Sequence, residues 1–154
     1  MDCYLVQHGE AKPEQEDPAR PLTDRGRREV ERVALAVKCS GVEIAEIVHS
    51  GKLRAQQTAE LLAAVLPPAR GVRAVAGLAP MDDLAAARAL LDRAEAPAML
   101  VGHLPQLSRL TSLLLVGDPT REIVSFRMGA IVCLGRDEAT WRLKWILTPE
   151  LITA

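Results

Sequence analysis

Short apolar runs that stop at a histidine, separated by helical stretches, constrain this chain more than any other feature. Cys3 to Val6 runs into Gln7-His8-Gly9, Ile44 to His49 ends beside Ser50, and Ala98 to Gly102 ends at His103. Each is short enough to be a buried strand rather than a helix. Between them, Thr23 or Asp24 can cap a helix to about Lys38, with Val30, Val33, Ala34 and Val37 on one face. Lys52 to Leu66 reads as a second helix, with Leu61, Leu62, Val65 and Leu66 inward, stopped by Pro67-Pro68. Asp82 can cap a third, to about Ala94, with Leu84, Ala87, Leu90 and Leu91 inward, and Leu104 to Val116 is a fourth, with Pro105 in its first turn and Gly117 past its end. Val72 to Val75 is a weaker strand, and Ala130 to Leu134 with Trp141 to Leu147 reads as a hairpin around Gly135 to Thr140.

This alternation predicts an α/β three-layer sandwich: a mostly parallel central sheet, helices on both faces, and a C-terminal hairpin that makes the sheet mixed. With 154 residues, a single domain over 1–154 is expected, without an inserted lid.

Composition removes several function classes. Lys plus Arg is 19 and Asp plus Glu is 20, a net charge of −1, so the chain lacks the basic footprint of a nucleic-acid binder. Its aromatics are Tyr4, Phe126, Trp141 and Trp145, too few for a base-stacking platform. No apolar run reaches the roughly 18 residues of a membrane span, and Met1-Asp2-Cys3 does not open a signal peptide. Cys3, Cys39 and Cys133 have neither zinc spacing nor a disulfide pattern. They are expected to be small buried hydrophobes in a cytoplasmic protein that needs no metal. The sequence sets no oligomeric state.

In open α/β sheets the ligand site lies outside the carboxyl ends of the strands. His8, His49, Ser50 and His103 stand at such ends, and Arg54 begins the helix after the second strand. Each has an ordinary structural role open to it, the histidines as core residues and Arg54 as a solvated helix charge. Repetition of the placement at His8 and His103 points to one shared site. The histidines have no helical or strand spacing that suits a metal.

The motifs go further. Val6-Gln7-His8-Gly9-Glu10-Ala11 resembles the Arg-His-Gly signature of the histidine phosphatase superfamily (phosphoglycerate mutase-like). Ser50 to Ala59 resembles its Ser-x-x-x-Arg-Ala-x-Gln-Thr motif, and Val101-Gly102-His103 its third. Arg20-Pro21-Leu22-Thr23, Gly26 and His103-Leu104-Pro105 are closer to the SixA-like phosphohistidine phosphatase branch. The resemblance implies that His8 is a nucleophile that becomes phosphohistidine, that Arg54 grips phosphate oxygens through its planar fork, and that His103 donates to a further oxygen. Gln7, Gly9 and Arg20 complete the implied phosphate site, with no metal or cofactor. A hydrogen bond from the other ring nitrogen would fix the tautomer of His8.

Two departures from the family pattern bear on mechanism. Gln7 stands where the family has arginine, leaving Arg20 as the replacement cation. The stretch Gly77 to Asp83 contains no glutamate to act as general acid, so Glu10, Asp82 and Asp83 are the remaining candidates. Asp82 and Asp83 equally suit a helix start. Imidazole leaves without a strong acid, since its conjugate acid has a pKa near 6.5, whereas an alkoxide does not. The missing acid and an uncovered site imply a phosphohistidine-bearing protein as substrate. The alternatives are a small-molecule phosphomonoesterase and a catalytically weak phosphate-binding module.

Overall fold

The computed structural model describes residues 1–152. A six-stranded sheet has the order β3-β2-β4-β1-β5-β6. Its strands are β1 (Asp2–Gln7), β2 (Glu46–His49), β3 (Val72–Ala74), β4 (Ala98–Gly102), β5 (Ile131–Asp137) and β6 (Thr140–Leu147). β1 to β4 are mutually parallel, while β5 runs antiparallel to β1 and β6. The helices are α1 (Asp24–Cys39), α2 (Leu53–Val65), α3 (Leu84–Arg93) and α4 (Gln106–Val116). No described helix is long and apolar enough to cross a membrane.

Strand alternation divides the core into two layers. Tyr4, Val6, Met99 and Val101 pack on one face with Val30, Val33 and Val37 of α1 and Leu62 of α2. Leu5, Leu100 and Val132 pack on the other with Leu84 and Leu91 of α3 and Leu107 and Leu110 of α4. The expected sandwich, with its mixed sheet, is the observed fold.

Local details differ, each for a physical reason. The buried stripe of α2 is Ala55, Thr58, Ala59 and Leu62, whose small residues sit against the sheet, while Leu61 and Val65 are half-buried. Asp83, not Asp82, caps α3, by accepting the Ala85 N–H at 2.8 Å. Asp82 instead accepts the Ala79 N–H and closes the preceding turn. α4 starts at Gln106, with Pro105 preceding it. The hairpin strands reach Asp137 and Thr140, further than expected, because polar Arg136 is anchored by its guanidinium rather than lying in the turn. Cys3 and Cys133 are buried, but Cys39, at the last position of α1 and off its valine stripe, is exposed.

Pairing register positions the functional end. Gln7 lies opposite Gly102 on adjacent parallel strands, so His8 and His103 leave the sheet side by side. The His8 N–H donates to the Gly102 carbonyl at 3.1 Å, extending the pairing by one bond.

Candidate active site

The first turn is built around a neutral histidine. Nδ1 of His8 lies 2.7 Å from the Gly9 carbonyl, which can only accept, so Nδ1 carries the proton and the Nε2 lone pair is left free. Burial pushes the His8 pKa down to about 4; the Gly9 bond opposes this, and the charges of Arg54 and Arg20 add to it.

Motif residues hold this turn from three sides. Thr58 Oγ1 accepts the Gly9 N–H at 3.0 Å and donates to the Arg54 carbonyl at 2.8 Å, tying the turn to α2. Gln57 Oε1 accepts the Leu22 N–H at 2.8 Å. Thr23 caps α1 through Gly26 and donates its hydroxyl proton to the Glu10 carboxylate at 2.8 Å. A side chain at Gly26 would collide with the Glu10 carbonyl, so glycine lets α1 start against the histidine turn.

His103 lies beside His8, with ring centroids 5.0 Å apart. Its Nε2 is 2.7 Å from Ser50 Oγ, whereas its Nδ1 is buried without a partner. Burial pushes its pKa to about 3, helped by His8, Arg54, Lys52 and Arg20. The charges of Arg54 and Arg20 bear on both rings, and that of Lys52 on His103. Arg54 Nε is buried and unbonded, and burial together with Arg20 lowers its pKa. Arg20 adopts a left-handed backbone (φ 50°) and is steadied by its Nε donating to the Lys12 carbonyl at 3.0 Å. Gln7 Oε1, in the strand residue before His8, is a third buried atom without a partner. Buried polar atoms are normally satisfied, so Arg54 Nε and His103 Nδ1 stand out here, as do Gln106 Oε1 and Ser112 Oγ on α4.

The structure thus brings His8, His103, Arg54 and Arg20 together, with Gln7 the strand residue before His8, and gives others of the expected set structural partners. The Gly9 N–H is taken by Thr58, so Gly9 shapes the turn instead of offering its amide to phosphate. Glu10 accepts from the Thr23 hydroxyl, Asp82 from the Ala79 amide and Asp83 from the Ala85 amide, so each of the three candidate acids also has a structural partner. His8 and His103 are only 8% and 2% exposed, so the rings sit deeper than an uncovered site suggested. Sequence reasoning placed Ser50 at a strand end without giving it a role and passed over Lys52 and Thr58, although all three lie inside the second motif. Among the described residues, no group of three or more His, Cys, Asp or Glu gathers in a way that could hold a metal ion.

The family model of the histidine phosphatase superfamily, branch 1, matches residues 3–82. An uncharacterized protein of Picosynechococcus is 36% identical over 139 residues, covering 85% of this chain and 83% of that protein. The chain belongs to the histidine phosphatase superfamily. Within it, phosphohistidine phosphatase SixA of Escherichia coli is 28% identical over 155 residues, covering 97% of this chain and 94% of its own. The structure of the protein histidine phosphatase SixA complexed with tungstate superposes with a TM-score of 0.87 at 27% identity, covering 98% of this chain and 99% of that one. The histidine phosphatase fold therefore spans nearly the whole chain.

Proposed function

We propose that this histidine phosphatase removes phosphate from phosphohistidine on a protein, using His8 as nucleophile and no metal. The reading rests on one arrangement: a neutral His8 with Nε2 free, under the charges of Arg54 and Arg20 and beside a neutral His103. The Nε2 lone pair attacks phosphorus as the P–N bond to the substrate imidazole breaks, and that ring, already protonated from solvent on its other nitrogen, departs with the bonding pair as neutral imidazole. Water then attacks the phosphorylated His8, releasing inorganic phosphate and a proton and restoring the ring. Arg54, Arg20 and the His103 N–H neutralise charge on the transferring oxygens, and Gln7 contributes a neutral amide donor.

The substrate class follows from what the site lacks. An alkoxide leaving group needs a nearby acid, and each candidate carboxylate, Glu10, Asp82 and Asp83, already accepts a structural hydrogen bond. A phosphoramidate does not. Similarity to SixA supports the same choice. Two buried free thiols, Cys3 and Cys133, suit a reducing compartment such as the cytoplasm.

Rapid mixing with a labelled phosphohistidine protein, quenched in base, should trap acid-labile label on the chain, and His8→Ala should abolish it. The phosphohistidine protein should exceed phosphoserine peptides and sugar phosphates by at least about tenfold in kcat/KM, each corrected for its uncatalysed rate, or roughly 1.4 kcal/mol. Label persisting in His8→Ala refutes the nucleophile. Faster turnover of a sugar phosphate replaces the substrate, and phosphate binding with no turnover of any substrate leaves only a binding module.

A further inference from the structure

We infer that Ser50 sets the tautomer of His103 and so makes that ring a hydrogen-bond donor to the phosphoryl group; the inference rests on the phosphatase reading above. Ser50 follows directly on β2, and β2 pairs with β4 so that His49 lies opposite Val101, which brings Ser50 alongside Gly102-His103. The contact between Ser50 Oγ and His103 Nε2 is short, at 2.7 Å.

The turn that carries Ser50 is fixed on both sides. His49 Nδ1 accepts the Gly51 N–H at 3.0 Å, and Gly51 has the positive φ of 88° that glycine tolerates best. The Lys52 N–H donates to Ser50 Oγ at 3.3 Å. With that donor on its oxygen, the hydroxyl can direct its single proton at Nε2. Nε2 is then the accepting nitrogen of His103, and the ring proton resides on Nδ1.

Neutrality is what gives the tautomer its consequence. The ring is buried among Arg54, Lys52 and Arg20, so it holds one proton, on one nitrogen or the other. With the proton on Nδ1, the unpartnered buried nitrogen is a donor awaiting an oxygen. In the opposite tautomer, Nε2–H would donate to Ser50, and Nδ1 would present a lone pair that repels a phosphoryl oxygen. The Ser50 hydroxyl therefore decides whether His103 assists or opposes the anion. Ser50 does this through His103, as a positioning residue.

Nitrogen-15 NMR of the histidine rings in the unliganded full chain tests this without substrate. The expected result is His103 protonated on Nδ1 in the parent protein, shifting toward Nε2–H in Ser50→Ala and retained in Ser50→Thr. In turnover, Ser50→Ala should lower kcat about 10–100-fold, the usual cost of losing a group that orients an imidazole. KM should change much less, Ser50→Thr should recover most of the rate, and Ser50→Ala should add nothing in a His103→Ala background. Nε2–H on His103 in the parent overturns the proposal by itself, even if Ser50→Ala fails to fold. Parent-like kcat in Ser50→Ala, or a full additional loss on top of His103→Ala, overturns it as well. Either result, with His8→Ala inactive, leaves the phosphatase reading intact; turnover by His8→Ala removes that reading while the ring spectrum still judges Ser50.

Discussion

Arg136 and Arg54 are the same side chain at opposite ends of the sheet, and the fold treats them in opposite ways. At the amino end of β1, the Arg136 guanidinium donates to the carbonyls of Leu91, Asp92 and Ala94 at 2.6–2.8 Å. These groups end α3, where the last carbonyls lack helical partners and the dipole is negative. Arg136 also lies over the Trp141 ring, 5.8 Å from its centroid. At the carboxyl end, Arg54 opens α2, keeps a buried Nε unbonded and faces another arginine instead of an acceptor. The helix starts at that end differ among themselves: Thr23 and Asp83 cap α1 and α3, whereas α2 and α4, which follow His49 and His103, have no side-chain cap. The arginine at one end of the sheet is fully engaged by carbonyls, and the arginine at the other keeps its Nε unbonded.

Exchanging the two losses gives the largest expected effect. Arg54→Ala should lower kcat/KM by roughly 10²–10³-fold, the usual range for removing a donor to transition-state charge. Its thermal midpoint should hold or rise, because a half-buried cation whose Nε lacks a partner has been removed. Arg136→Ala should leave kcat/KM at 25 °C unchanged and cost about 1–2 kcal/mol of stability, since its carbonyl partners are left without a donor. For a chain of this size that lowers Tm by about 2–8 °C. Calorimetry and steady-state kinetics on both variants check the pair, and a large Tm loss in Arg54→Ala would dissolve the distinction.

The degree to which this contrast was legible in the sequence varies by residue. β1, β2 and β4 are readable because each is a short apolar run that breaks at a polar residue, and α1 because Thr23 precedes a valine stripe. β3, read as the weaker strand Val72 to Val75, is Val72–Ala74 at the sheet edge, so short that its signal is faint. Choosing between Asp82 and Asp83 as the cap requires knowing which carboxylate points at which amide, and spacing alone does not encode that. His8, His103 and Arg54 could be picked out from strand ends and motif spacing. The Ser50–His103 bond, the Thr58–Gly9 bond and the Lys12 anchor of Arg20 join residues 53, 49 and 8 positions apart, and their partners exist only after folding.

Acid should separate the two ends next. Burial holds His8 near pKa 4 and His103 near 3, against 6.5 for an ordinary imidazole. In NMR titration both rings should stay neutral at pH 5, where an unperturbed histidine is about 97% protonated. The linked stability has a definite sign. Between pH 6.5 and about 4 the unfolded chain binds protons that the folded chain refuses, so stability falls as pH falls through that window. His103→Gln should flatten that slope in urea denaturation, and Arg136→Ala should shift the curve without changing it. A His8 midpoint above 6 would mean that its pocket is wetter than the structure shows.

The smallest effect tests how complete the prepared end is. Gln7 occupies the position where the family carries arginine, its Oε1 is buried without a partner, and Arg20 stands within electrostatic reach of both histidines. An amide and a guanidinium differ by about 1 kcal/mol in hydrogen-bond strength to an anion, roughly fivefold in Kd. Gln7→Arg should therefore tighten vanadate or phosphate by about that factor if the cation position is vacant. If Arg20 already fills it, a second guanidinium meets like charge, so the gain should vanish in the parent and return in an Arg20→Ala background. Vanadate Kd values for the two single variants and the double variant form the cycle that separates these cases. A coupling between positions 7 and 20 identifies Arg20 as the substitute cation. Independent effects assign the phosphate charge to Arg54 and the helix starts, and parent-like Kd in all three variants places both residues out of reach of the anion.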